Sequence, residues 1–137
     1  MTTADHANCQ QMMQSVIDAM PANIAIIDTS GTILMVNNAW CNFAEQNNAA
    51  HLRSSSIGCN YLAICQQSIA DGAPQADLAL QGIKSVLSGQ QISFTMEYPC
   101  HSSERQSWYQ MSVSRHDGPL QAVIICHLDI SRRIQSE

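Results

Sequence analysis

Three runs in the C-terminal half of the chain carry strand patterning, and they confine it to folds built on an antiparallel sheet. Ile92, Phe94, Met96 and Tyr98 alternate with Ser93, Thr95 and Glu97, and in Trp108 to Arg115 the positions Tyr109, Met111 and Val113 share one face. Successive side chains of a strand point to opposite faces, so this period describes half-buried strands. Asp117-Gly118-Pro119 then turns the chain into Leu120–Leu128, which is apolar on both faces. A strand covered on both sides belongs in the middle of its sheet.

The N-terminal half supplies the remaining strands and the helices. Asp5 to Met20 places Met13, Val16, Ile17 and Met20 at helical spacing, and Pro21 stops it. Asn23–Asp28 and Thr32–Asn37 are apolar runs joined by Asp28-Thr29-Ser30-Gly31, the signature of a tight hairpin. Asn37 and Asn38 can cap a short helix in which Trp40, Phe43 and Ala44 share a face. Short helical pieces follow around Tyr61 to Ser68. A longer helix runs from about Pro74 to Leu87, with Ala76, Ala79, Leu80, Ile83, Val86 and Leu87 in one stripe and Gly89 as its stop. Asp129 can cap a last helix, where Ile130 and Ile134 are four apart. The result is an α+β domain: a five-stranded antiparallel sheet with helices on one face.

Composition removes several functions. Hydrophobic residues make up 45 % of 137 and charged residues 12 %, enough apolar material for one packed core. A net charge of −5 with six Lys and Arg leaves no basic stripe, so nucleic acid is not expected as a partner. No run is apolar enough to span a bilayer, and no cationic segment precedes an apolar core at the N-terminus. Neither direct membrane contact nor secretion is expected. Cys41, Cys65 and Cys126 sit in apolar-periodic segments and no CxxC pair occurs, which fits free thiols in a reducing cytoplasm.

Four motifs in order carry a family resemblance. Ile26-Ile27-Asp28, Gly31-Thr32-Ile33 and Val36-Asn37 with Ala39 resemble the first hairpin of PAS domains. Leu128-Asp129-Ile130-Ser131-Arg132-Arg133 resembles the Asp-Ile-Thr signature at their exit. Glu97 to Ser102 and Trp108-Tyr109 resemble a subgroup found in bacterial sensor kinases and cyclic-dinucleotide enzymes. The resemblance implies a flanking helix over 1–20, the PAS domain over 21–130 and the start of an exit helix over 131–137. It implies a sensory module holding a small molecule between sheet and helices, homodimeric through its N-terminal helix and driving a C-terminal kinase or cyclic-dinucleotide enzyme. The alternative is a ligand-free dimerisation and relay module.

The residues narrow the cofactor without naming one. Flavin-adduct PAS domains need a thiol at the position that Gly58-Cys59-Asn60-Tyr61-Leu62 fills with Tyr61, so a covalent flavin adduct is disfavoured. Pro74 to Leu87 contains no His, which disfavours the usual helix-borne haem ligand. Within the family pattern His127 falls where flavin-binding PAS domains place a pocket-facing Gln, and by alternation it shares its face with Val123 and Ile125. It is either a polar ligand anchor or a buried histidine satisfied by its neighbours. The resemblance places Tyr109, Met111, Val113, Phe94, Met96, Tyr61 and Phe43 around the same pocket. Matching Glu97-Tyr98 to an Asn-Tyr pair of flavin domains would turn Glu97 inward, whereas the apolar alternation turns Phe94, Met96 and Tyr98 inward. Asp129, Ile130, Ser131 and Arg132 are the expected relay to the exit helix. Adjacent strand residues face opposite ways, so neither Cys100-His101 nor Cys126-His127 chelates as a unit, and no metal site is expected. Cys100 is a candidate redox thiol. No nucleophile–base spacing announces catalysis.

Overall fold

The structure, a computed structural model, describes residues 3–46, 57–73, 75–99, 106–117 and 121–136. Helix α1 (Thr3–Asp18) leads into strands β1 (Asn23–Ile27) and β2 (Ile33–Val36), followed by helices α2 (Asn38–Gln46), α3 (Tyr61–Ala70) and α4 (Ala76–Leu87). Strands β3 (Ser93–Pro99), β4 (Trp108–Asp117) and β5 (Gln121–Asp129) and the short helix α5 (Ser131–Ser136) complete the chain. The five strands form one antiparallel sheet in the order β2-β1-β5-β4-β3. This is the α+β architecture that the patterning required.

Strand β5 does lie at the middle of the sheet, but the outer side of its two-sided apolar pattern is only partly covered. Its inward residues Val123 and Ile125 are buried beneath the helices, whereas Ile124 and Leu128 on the other face stay substantially exposed. Helices α2, α3 and α4 cover the inner face. Helix α1 lies against the outer one, where Ile17, Ala22 and Ile24 pack with Ile26, Met35 and Cys126. Of its apolar residues Ile17 is buried and Met12, Met13 and Val16 are exposed, as is Met20 just beyond its end.

The hairpin is tied by its aspartate. Asp28 Oδ1 accepts hydrogen bonds from the Ser30 amide and hydroxyl and from the Thr32 amide, closing the loop on itself. Gly31 turns the chain at φ +94°, and a Cβ there would lie 3.1 Å from the Leu62 side chain. Behind the hairpin the fully buried Asn37 amide bridges three elements. Its oxygen accepts from the Ile24 and Trp40 amides, and its nitrogen donates to the Ile17 and Ala22 carbonyls. One side chain thus docks α1, β1 and the start of α2 together.

Boundaries shift where sequence periodicity is blind to geometry. Helix α1 ends at Asp18 in a tight final turn, before Met20. Helix α4 starts at Ala76 because Gln75 adopts a left-handed conformation (φ 62°), and Pro74 lies outside the described residues. Ile92 alternates with the apolar residues of β3 but precedes the strand and is 82 % exposed. Within β3 the apolar alternation prevails over the flavin-domain match: Phe94, Met96 and Tyr98 pack on the core, and Glu97 faces outward to Arg133.

Candidate functional site

Cross-strand register divides the inner sheet face into rows with different fates. Ala25, Ile125, Val113 and Phe94 stand side by side on β1, β5, β4 and β3. Ile83 and Val86 of α4 belong to the same core as this row and have no exposed surface themselves. Helix α4 approaches β3 closely because position 82 is glycine: a Cβ there would meet the Phe94 ring at 2.3 Å. The neighbouring row is Asn23, His127, Met111 and Met96, and here helix and sheet part. All four residues floor a cavity of about 380 Å³ walled by Trp40 of α2, Tyr61, Ile64 and Cys65 of α3, and Ala79 of α4. Its volume falls within the range of small-molecule sites, roughly 300–1,000 Å³.

Tyr61 reaches this cavity because α3 is moored to the hairpin. The Tyr61 amide donates to the Gly31 carbonyl, the Ile33 amide to the Cys59 carbonyl, and the Asn60 Nδ2 to the Ser30 carbonyl. Asn60 also caps α3 by accepting from the Ala63 amide, so the helix begins with its first side chain aimed at the sheet.

His127 stands between two phenols. Its Nε2 lies 3.0 Å from the Tyr61 hydroxyl and its Nδ1 2.7 Å from the Tyr98 hydroxyl. The Tyr98 ring meets the imidazole edge-on at 5.8 Å, and the Trp40 ring lies 6.3 Å away. Burial lowers the His127 pKa to about 4 and raises that of the Cys65 thiol to about 11. Burial first, then the neighbouring Cys65 and Tyr98, hold Tyr61 well above the usual phenol range. The groups are therefore neutral at physiological pH. A neutral imidazole has one donor nitrogen and one acceptor nitrogen, so one phenol donates to His127 and the other accepts from it.

The structure sorts the expected pocket residues by depth. His127, Tyr61, Met111 and Met96 line the cavity. Val123, Ile125 and Val113 share the inward face but are sealed in the core. Phe94 packs on Gly82 beneath α4, and Tyr109 stacks beside Tyr98 at 5.9 Å without lining the cavity. Phe43 belongs to α2, but its side chain lies outside the described residues. Tyr98, Trp40 and Asn23 line the cavity as well, beyond the expected set. Alternation already turns Tyr98 inward and the helical face already holds Trp40, but Asn23 joins the site through β1–β5 register, which periodicity does not encode.

At the exit, the Ile130 amide donates to the Trp108 carbonyl and the Trp108 amide donates to the buried Ser131 hydroxyl. Asp129 accepts from the Ser131 amide, capping α5. Arg132 is exposed, and Arg133 pairs with Glu97 of β3, a contact of which the exit motif gives no sign. Among the described residues Cys41, Cys59, Cys65 and Cys126 form no disulfide; Cys100 and His101 lie outside the described residues. Among the described residues no three His, Cys, Asp or Glu side chains gather as a metal site, and no helix is long and apolar enough to cross a membrane.

Residues 11–76 match the family model of the PAS domain. The chain is 37 % identical over 123 residues, 89 % of its length, to an uncharacterised 104.1-kDa protein encoded in the hypE 3′ region of Rhodobacter capsulatus, and spans 13 % of that protein. Its fold superposes on the PAS domain of Bordetella pertussis BvgS with a TM-score of 0.65 at 14 % identity, covering 94 % of this chain and 91 % of the other. A PAS domain of a two-component sensor histidine kinase gives 0.53 at 14 % identity, covering 90 % and 98 %.

Proposed function

Since this chain is a PAS domain, we propose that it is the sensory module of a bacterial cytoplasmic signalling protein. In this reading it binds a small molecule in the cavity above His127 and passes the bound state through α5 to a kinase or cyclic-dinucleotide output domain. One observation carries the reading. The sheet and helices separate over a single cross-strand row, and the opening is apolar except for a few polar groups centred on Tyr61, His127 and Tyr98. Such a cavity in an otherwise closed core forfeits packing that Leu or Phe side chains would supply, and an occupant restores it. In this reading the cavity regulates an output domain rather than carrying out a reaction of its own.

The route outward is short. Tyr98 faces the cavity while its neighbour Glu97, on the opposite face of the same strand, pairs with Arg133 of α5. Met111 lies in the cavity floor, and Trp108, three residues earlier on β4, holds the Ile130–Ser131 junction. A ligand that shifts β3 or β4 thus acts on the first turn of the exit helix, provided it binds two states unequally.

Denaturing extraction of the purified protein, followed by mass spectrometry and an absorption spectrum, tests the reading. A molecule retained by the native chain and lost from His127→Ala supports it. Retention unchanged by that substitution, or no binder from a metabolite library that raises the melting temperature, would sink it. The ligand-free reading draws on the exposed Met12, Met13 and Val16 of α1 and Met20 just after it, an apolar surface suited to a second copy.

A further inference from the structure

The lining of the cavity restricts the chemistry of its occupant. Building on the ligand-sensing reading, we propose that the cavity takes an uncharged ring compound bearing a hydrogen-bond acceptor, a carbonyl oxygen or a ring nitrogen. The acceptor sits against the Tyr61 end of the Tyr61–His127–Tyr98 chain.

Charge is decided by the lining. Among the described residues, none that lines the cavity is Asp, Glu, Lys or Arg. A carboxylate or phosphate entering it would lose its hydration without meeting a counter-charge, a cost that such ligands ordinarily recover from Arg or Lys. The same argument removes ammonium ligands, which would find no carboxylate among the described lining residues.

Shape is set by the walls. Trp40 and Tyr61 stand 5.9 Å apart at 44°, and the His127 ring completes the group at 6.3 Å from Trp40. Met96, Met111 and Cys65 supply soft sulfur surfaces. Aromatic faces and thioethers of this kind pack well against a flat ring.

Polarity comes from counting protons. Two phenols and a neutral imidazole carry three N–H or O–H protons, and the two hydrogen bonds of the chain use two of them. The third stays at one end. With His127 protonated on Nδ1, Tyr61 donates to Nε2 and the surplus sits at Tyr98. With His127 protonated on Nε2, Tyr61 accepts, and its own O–H is turned loose beside the cavity. An acceptor placed there binds that proton and selects the Nε2–H tautomer. A ligand without an acceptor leaves the Tyr61 proton unbonded in that tautomer and so has no preference for it.

Three probes of similar size separate these claims: acetophenone, its apolar counterpart ethylbenzene, and the anion benzoate. Binding is followed by nitrogen-15 NMR of histidine-labelled protein, which reports both affinity and the His127 tautomer. Acetophenone is expected to bind at least fivefold tighter than ethylbenzene and to drive His127 to the Nε2–H form, which ethylbenzene does not. Benzoate is expected not to bind. Tyr61→Phe should abolish the preference for acetophenone over ethylbenzene, and the tautomer shift in the unmodified chain stands as evidence if that variant fails to fold. Equal binding of acetophenone and ethylbenzene, or binding of benzoate as tight as acetophenone, overturns the proposed ligand chemistry and leaves the sensory reading standing. Failure of all three probes, with nothing co-purifying, overturns both.

Discussion

His127 shows at the level of one residue how burial and bonding divide the work. Its imidazole is held neutral because burial pushes its pKa to about 4, while the unfolded chain keeps an ordinary value of 6.5. A depressed histidine pKa means that the unfolded state takes up the proton first. The folded state is therefore fully favoured above about pH 6.5 and loses that advantage as pH falls toward 4. The loss is on the order of 3 kcal/mol, at roughly 1.4 kcal/mol per pKa unit. Urea denaturation of the native chain and His127→Gln across pH 4–7 checks it: the slope should be clearly shallower in the variant. Asn37 is the other residue on which much rests. Asn37→Ala would remove the side-chain partner of the Ile24 and Trp40 amides and of the Ala22 carbonyl, and leave the Ile17 carbonyl with the Met20 amide alone, and is expected to cost at least about 3 kcal/mol in the same assay. The sequence marked Asn37 as a helix cap, which it is, but gave no hint of its partners on α1 and β1. Those lie 13 to 20 residues back along the chain.

At the scale of elements, the spacing of α4 from the sheet decides where the core closes. Glycine inside a helix costs about 1 kcal/mol against alanine, so Gly82→Ala would stabilise an isolated helix. Here the new Cβ would collide with Phe94, and overpacking of this kind costs about 1–3 kcal/mol. The variant should melt below the native chain, and adding Phe94→Leu should recover most of the loss. A Gly82→Ala variant with unchanged or higher stability would show that α4 shifts freely. The contact between β3 and α5 has a different signature. Glu97 and Arg133 are 45 % and 48 % exposed, so Glu97→Gln should alter global stability by less than about 1 kcal/mol. Local opening of α5 should nonetheless rise, read as faster amide exchange over Ser131–Ser136 with exchange in β4 unchanged. Strand patterning made Glu97 an outward residue. Its partner became visible only once α5 had folded back toward β3.

For the molecule as a whole, the outer face is the feature that the described residues cover only in part. Ile124 and Leu128 are exposed there, and α1 buries Ile17 while leaving Met12, Met13 and Val16 in water. Light scattering of the full chain should give a dimer mass that falls to the monomer when residues 1–20 are removed. A monomer in both cases would assign α1 to the outer face alone. Much of the architecture was legible because period-two and helical patterns, turn residues and caps act over a few neighbours. They placed every strand to within two residues and put Met96, Met111 and His127 on inward faces, while Tyr61 was expected at the pocket only from the family resemblance. The same patterns could not say that Val113, Val123 and Ile125 would be sealed while the adjoining row stayed open. That outcome depends on which residues stand side by side across β1, β5, β4 and β3, and on how closely Gly82 lets α4 approach them. Alternation is a local property of the backbone and is written along the chain. A cavity is the space left when distant elements meet, so the tertiary structure alone decided that His127 would lie between Tyr61 and Tyr98.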